Sequence, residues 1–178
     1  MRLFIAINLD GKTKAGICRV IDQLKPYALR GRFIPVDNLH LTLLFIGETN
    51  RVGDIKGAME GLRSPAFKMV VGGLGSFPRS GGDVFWLRVK AERLAQIHRQ
   101  LRDSLVERGF NLESRAYKPH LTLGRELVFT RDLDIFSLVP QEHLEMAVEK
   151  VSLMKSERID GRMKYTEVYS VSLEEAET

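Results

Sequence analysis

The tetrapeptide His40-Leu41-Thr42-Leu43 returns unchanged as His120-Leu121-Thr122-Leu123, 80 residues later. On a β-strand successive side chains point to opposite faces, so each copy sets its His and Thr on one face and its two leucines on the other. The polar face offers an imidazole that titrates near neutrality beside a hydroxyl that both donates and accepts hydrogen bonds. Two such faces brought together would surround one small ligand with two histidines and two hydroxyls. With a phosphodiester between them, a neutral histidine can take a proton from an attacking water while a protonated one gives a proton to the departing oxygen. The threonine hydroxyls would hold the non-bridging oxygens, where charge builds up in the transition state. This division of labour calls for no metal and no cofactor. A lone His-x-Thr reads better as half of a buried strand, but packing has no use for repeating it, and the chain has only four histidines.

A guanidinium near the phosphate would strengthen this hold, and Arg125 is the candidate. Strict alternation turns it away from His120 unless Gly124 permits a bulge; the other reading is an ordinary surface arginine. His98, beside Ile97 in a helical pattern, reads as a boundary residue, and His143, in a polar connection, as exposed. His40 and His120 could share a metal, but neither motif carries a third ligand, and the chain has no His-Glu-x-x-His or Cys-x-x-Cys. Gly11-Lys12-Thr13 imitates the end of a phosphate-binding loop, but Ala6 stands where its first glycine is needed. Gly73-x-Gly75-x-x-Pro78 fails the dinucleotide fingerprint at its third glycine.

The elements that must position the two motifs can be read from apolar spacing. Leu3 to Ile7 is a continuous apolar run, which predicts a strand buried on both faces. Ile17, Val20, Ile21, Leu24 and Ala28 recur at intervals of three and four, one stripe of a helix that Pro26 kinks or ends early. Arg32 to Leu39 reads as extended or looped, then the first motif strand runs from His40 to Ile46. Val52 to Leu62 predicts a modest helix, Phe67 to Val71 a short strand, and the glycine-rich stretch 72–82 a loop that covers a site or is simply mobile. Val84 to Val89 is a strand, and Leu94, Ile97, Leu101 and Leu105 mark a helix ending near Gly109. The second motif follows. Both halves therefore read as strand, helix, His-x-Thr strand, with Ile17 falling on Ile97 and Ile21 on Leu101 at the same offset of 80. Two such lobes related by an approximate two-fold would bring the motifs together across a groove. Beyond them, a short helix is expected around Leu133 to Leu138. Leu144 to Met154 and Thr166 to Leu173 read as strands, with a hairpin turn at Asp160-Gly161. The tail Glu174, Glu175 and Glu177 is expected to be solvated and frayed.

At 178 residues, one domain spanning 1–178 is the expectation. With 44% hydrophobic and 28% charged residues, the chain reads as a soluble globular protein rather than a disordered or membrane one. A net charge of +4 suits a phosphate-bearing or RNA partner without demanding one. The one cysteine, Cys18, excludes an internal disulfide. The first apolar run is too short for a signal peptide or a membrane span, so no membrane association and a cytoplasmic location are expected.

The paired motifs, the opening Arg2-Leu3-Phe4-Ile5-Ala6, the extension Phe45-Ile46-Gly47-Glu48 and the segment Pro119 to Arg125 resemble the 2H phosphoesterases. More closely they resemble the RNA 2',3'-cyclic phosphodiesterase branch, also called the 2'-5' RNA ligase family. The resemblance implies an α+β, bilobal fold of two pseudo-symmetric strand-helix-strand halves, with antiparallel sheets flanking a central groove. It also implies a monomer that hydrolyses the 2',3'-cyclic phosphate at an RNA end, tRNA halves among such ends, to a 2'-phosphomonoester without metal. By carry-over His40 protonates the leaving 3'-oxygen and His120 activates water, although the near-symmetry of the halves does not itself decide which is acid. Thr42, Thr122 and Arg125 would bind the phosphate. Phe45 holds in the first motif the place of Arg125 in the second, and either contacts the terminal nucleotide or packs in the core. The family name also records reversible 2'-5' joining of RNA ends. Competing readings are action on a linear 2'-5' bond or a small cyclic nucleotide, and a non-catalytic RNA-end binder.

Overall fold

The computed structural model describes residues 1–141 and 143–176. Its strands form two antiparallel sheets. In the first the order is β3 (His40–Glu48), β1 (Arg2–Asn8), β8 (Lys150–Ile159), β9 (Arg162–Ser172); in the second it is β2 (Ala28–Phe33), β6 (His120–Phe129), β5 (Asp83–Lys90), β4 (Phe67–Phe77), β7 (Leu144–Val148). Among the described residues three α-helices complete the α+β architecture: α1 (Gly11–Leu24), α2 (Val52–Glu60) and α3 (Leu94–Glu107).

The two halves repeat as the sequence implies. β1 pairs with β3 so that Asn8 lies opposite His40 and Ala6 opposite Thr42, while β5 pairs with β6 so that Arg88 lies opposite His120 and Trp86 opposite Thr122. Asp10 starts α1 by accepting the Thr13 N–H at 2.7 Å, a side-chain cap that satisfies one of the open donors at the helix start. Ile17, Val20, Ile21 and Leu24 are its buried stripe, and Leu94, Ile97, Leu101 and Leu105 are that of α3. The helices interlock the halves, because α1 touches β7 of the second sheet and α3 touches β3 of the first. One continuous apolar core runs from Leu3, Ile5 and Ile7 through Leu41 and Leu43 to Leu87, Leu121 and Leu123.

Four local expectations are corrected. Ala28 does not continue the first helix: Pro26, which lacks an N–H, sits in a short 3-10 turn, and Ala28 opens β2, an edge strand where the nearby Pro35 does no harm. The stretch 72–82 is mostly strand, since β4 continues to Phe77 and only residues 78–82 turn. One of its glycines answers to a neighbour: a Cβ on Gly75 would run into the ring of Trp86, its partner on β5. Leu144 to Met154 is two strands, with β7 in the second sheet and β8 in the first, the chain crossing at Glu149. Finally, Glu174 is held by a backbone bridge to Pro65, with Glu174 N–H donating to Ser64 O at 3.0 Å. Glu177 lies outside the described residues. The Asp160-Gly161 turn joins β8 to β9 as expected, both residues having positive φ.

Candidate active site

Each motif enters its strand in the same way. His40 Nδ1 lies 2.7 Å from Asn38 O and His120 Nδ1 lies 2.7 Å from Lys118 O, in both cases the carbonyl two residues upstream. A carbonyl only accepts, so each Nδ1 carries a proton, and in the neutral ring each Nε2 is left as the free base. Each ring is also walled by two aromatic side chains. Phe4 and Tyr165 stand with centroids 5.0 Å from His40; Phe77 stands 5.1 Å and Trp86 6.0 Å from His120.

Both strands then bulge at the same step. Against β1 the register passes from Ala6 opposite Thr42 to Ile5 opposite Leu44, and against β5 from Trp86 opposite Thr122 to Phe85 opposite Gly124. The extra residue buries Leu43 with Leu44, and Leu123 with Gly124, and returns the next residue to the His-x-Thr side. Arg125 thereby reaches the face that alternation alone would deny it. Phe45 is returned likewise and is 52% exposed, so the core-packing alternative does not hold for it. The two bulges use different residues for a packing reason. A Cβ at Gly124 would meet Arg32 O of β2 at 2.8 Å, whereas β3 is a sheet edge with no strand hydrogen-bonded to it on the side away from β1 and accommodates Leu44.

The motifs come together across the sheets. β3 touches β6 directly, and Tyr117, just ahead of the second motif, donates its hydroxyl to Thr42 O at 3.1 Å while its ring stacks on His98 at 4.5 Å. Burial pushes the Tyr117 hydroxyl pKa up, which keeps it a donor. His40 Nε2 is 3.0 Å from Thr42 Oγ1. Burial holds the pKa of His40 below the ordinary histidine value, its bond to Asn38 O opposes this, and the charges of Arg125 and Lys14 lower it further. Arg125 and His40 come from different halves of the chain, so this influence marks the two motifs as neighbours. Behind the first motif, Glu167 accepts from Ser152 Oγ at 2.7 Å, Lys150 Nζ at 3.1 Å and Asn8 Nδ2 at 3.3 Å. These contacts lower its pKa and fix the residue facing His40 across the ladder.

Lys14, in the first turn of α1, is the charged residue that spacing alone does not single out; its signal was its place after a strand and a capping Asp10. Tyr165 and Phe77 gave no local signal, since they reach the histidines from other strands. Among the described residues, no three His, Cys, Asp or Glu side chains cluster as metal ligands.

The two His-x-Thr strands thus lie in adjoining antiparallel sheets. The chain belongs to the 2'-5' RNA ligase superfamily, whose family model matches residues 14–160. It is 34% identical over 131 residues to the RNA 2',3'-cyclic phosphodiesterase of Thermotoga maritima, covering 70% of each chain. It is 32% identical to the protein of that name from Methanothermobacter thermautotrophicus, over 94% of this chain and 96% of the other. The Escherichia coli enzyme of the same name is 31% identical over 93% of this chain and 92% of its own. Among solved structures, Escherichia coli LigT complexed with 3'-AMP superposes with a TM-score of 0.83 at 29% identity, covering 97% of both chains.

Proposed function

We propose that this protein is an RNA 2',3'-cyclic phosphodiesterase that opens the terminal cyclic phosphate to a 2'-phosphomonoester by two-histidine acid/base catalysis without metal. The observation that carries the reading is the duplicated tautomer lock: both histidines spend Nδ1 on a carbonyl at 2.7 Å, which makes Nε2 the nitrogen each has for proton transfer, that of His40 standing 3.0 Å from Thr42 Oγ1. A water attacks phosphorus and gives its proton to the neutral Nε2 of His120. The bond from phosphorus to the 3'-oxygen breaks, and that oxygen takes a proton from Nε2 of His40. Thr42, Thr122 and Arg125 hold the non-bridging oxygens. Phe45, exposed beside them, offers its ring to the terminal base. With a 5'-hydroxyl in place of water the same transfers form a 2'-5' bond, so the site also joins ends. In this reading residues 1–178 work as one bilobal unit, a cytoplasmic monomer acting on ends such as those of tRNA halves. No described helix is long and apolar enough to cross a membrane.

His40 is held neutral more readily than an ordinary histidine, and a bound phosphate supplies the negative charge that offsets Arg125 and Lys14. That lowered pKa also favours a second reading, in which His40 is the base and His120 the acid. A substrate with sulfur in place of the leaving 3'-oxygen distinguishes the two, because a thiolate departs without a proton: the alanine variant it rescues has lost the acid.

The primary test is hydrolysis of RNA bearing a 2',3'-cyclic phosphate in excess EDTA, with the product phosphate located. The expected result is a 2'-phosphate from the wild type and a loss of at least about 10²–10⁴-fold in His40→Ala and in His120→Ala. Activity abolished by EDTA, or persisting in the double variant, overturns the mechanism.

A further inference from the structure

We infer that a groove at the far end of β6 receives a nucleotide of the RNA strand several positions from the reacting end, an inference that rests on the function proposed above. The groove, of about 530 Å³, lies between the ends of β2 and β6, the turn joining β4 to β5, and the 3-10 turn Ile135–Leu138. Ligand pockets typically span roughly 300–1,000 Å³, so it has room for a base and its sugar. Phe129 and Phe85 pack edge to face at its base, and Phe136 rests on Phe85 with 44% of its own surface exposed. Leu133 adds a second exposed apolar side chain.

The rim is cationic, and its charges are differently committed. Arg30, Arg79 and Arg131 are exposed around the opening, with Asp83 and Asp134 beside them. The two carboxylates are taken up by the backbone: Asp83 Oδ1 accepts the Arg79 N–H at 3.2 Å and Asp134 Oδ1 the Phe136 N–H at 3.1 Å. Among the described residues neither the Arg30 nor the Arg131 guanidinium has a hydrogen-bond or ion-pair partner. An exposed aromatic face beside uncommitted arginines is the combination that stacks an unpaired base and neutralises its phosphates. A purely apolar ligand would leave the arginines unused.

The groove opens at the end of the sheet: Leu127, Phe129 and Phe85 floor it from the face opposite His120 and Thr122, while Arg30 and Val128 lie on the catalytic side, so an RNA strand leaving the site reaches it around the sheet end. β6 carries His120, Thr122 and Arg125 at one end and lines the groove with Leu127 to Phe129 at the other; with the bulge at Glu126 between them, Arg125 and Phe129 are about 10 Å apart at the usual strand rise. On the neighbouring β2, Arg32 lies opposite Arg125 and Arg30 opposite Val128; Arg32 is ion-paired with Glu126 at 2.9 Å, so Arg125 at the site and Arg30 at the groove are the charges left along this path. A mononucleotide cyclic phosphate fills only the catalytic face. A longer RNA fills both, which makes the groove a selector of RNA ends over small cyclic nucleotides.

The test compares a nucleoside 2',3'-cyclic monophosphate with single-stranded oligonucleotides of two to eight residues ending in a 2',3'-cyclic phosphate. Wild type, the double variant Arg30→Ala/Arg131→Ala, and Phe136→Leu are assayed at several salt concentrations. In the wild type kcat/KM rises with length and then levels off. In the double variant the rise is lost, about ten-fold or more on the longest RNA, while the mononucleotide is turned over within two-fold of wild type. The slope of log affinity on log salt flattens by about 1.4, roughly 0.7 for each single-strand phosphate that the missing arginines no longer neutralise. Phe136→Leu loses a smaller part of the length effect without changing the salt slope. Equal loss on both substrates, or no length effect in the wild type, overturns the inference. If the wild type hydrolyses neither substrate, the proposed function fails instead. Anisotropy binding of a labelled octanucleotide then still reads the groove: weaker binding in the double variant sustains it, and unchanged binding overturns it.

Discussion

The first His-x-Thr strand and the second share four residues, a tautomer lock and a bulge, yet they sit in different surroundings. β3 is a sheet edge and β6 an inner strand. His40 is tucked between Phe4 and Tyr165 with Nε2 on Thr42 Oγ1. His120 faces Phe77 and Trp86, and the residue its bulge returns is a guanidinium, where the first copy returns an exposed ring. The lesson is that duplicated local chemistry becomes a directional site through its neighbours. A cyclic phosphate is asymmetric, and a site whose bulges return a guanidinium on one arm and an exposed ring on the other can bind it one way round.

The sharpest way to break the comparison is to remove one histidine at a time. Each alanine variant is expected to lose at least about 10²–10⁴-fold in kcat, and the double variant little more than the worse single one, since the two act as a unit. Additive losses in single-turnover rates would mean that the copies work independently. Next in size, Arg125→Ala is expected to lower kcat about 10²–10³-fold, as for loss of a donor to a developing oxyanion, whereas Phe45→Ala acts mainly through KM. Equal effects on kcat would erase the distinction between the arms.

Acidity gives a third test. In the free protein the midpoint of His40, followed by NMR, is expected below the ordinary value of about 6.5 and to rise in Arg125→Ala and in Lys14→Ala. If His40 is the acid, kcat/KM falls as pH rises through that midpoint; if it is the base, kcat/KM falls as pH drops through it. The folded pKa lies below the unfolded one, so this group's contribution to stability is complete above about 6.5 and is lost as pH falls through the folded value. Smaller still, Gly75→Ala sets a Cβ against the Trp86 ring and is expected to cost about 1–3 kcal/mol in denaturant unfolding. Tyr117→Phe loses one hydrogen bond to Thr42 O, about 0.5–1.5 kcal/mol. If Gly75→Ala perturbs the NMR signals of His40 as much as those of His120, the two aromatic walls are not separate.

Much of this was legible along the chain. The buried strand at Leu3 to Ile7, the stripes of α1 and α3 and the hairpin at Asp160-Gly161 follow from periodicity and turn residues, which are local. What failed depended on partners distant in sequence. The glycines after Val71 resemble a loop until Trp86 is set against Gly75, and the strand at Leu144 looks continuous until its two ends are claimed by different sheets.

The sequence by itself determined the pair of acid/base faces, because alternation along a strand is a property of the backbone and a tetrapeptide repeated at a fixed offset carries its chemistry with it. Only the tertiary structure decided that Arg125 turns toward that face and that Phe45 stays exposed, because a bulge exists only in the register between two strands. It also decided which aromatic rings wall each imidazole and which cations depress His40, because desolvation and Coulomb effects depend on what the fold brings near, however far away it lies in the chain.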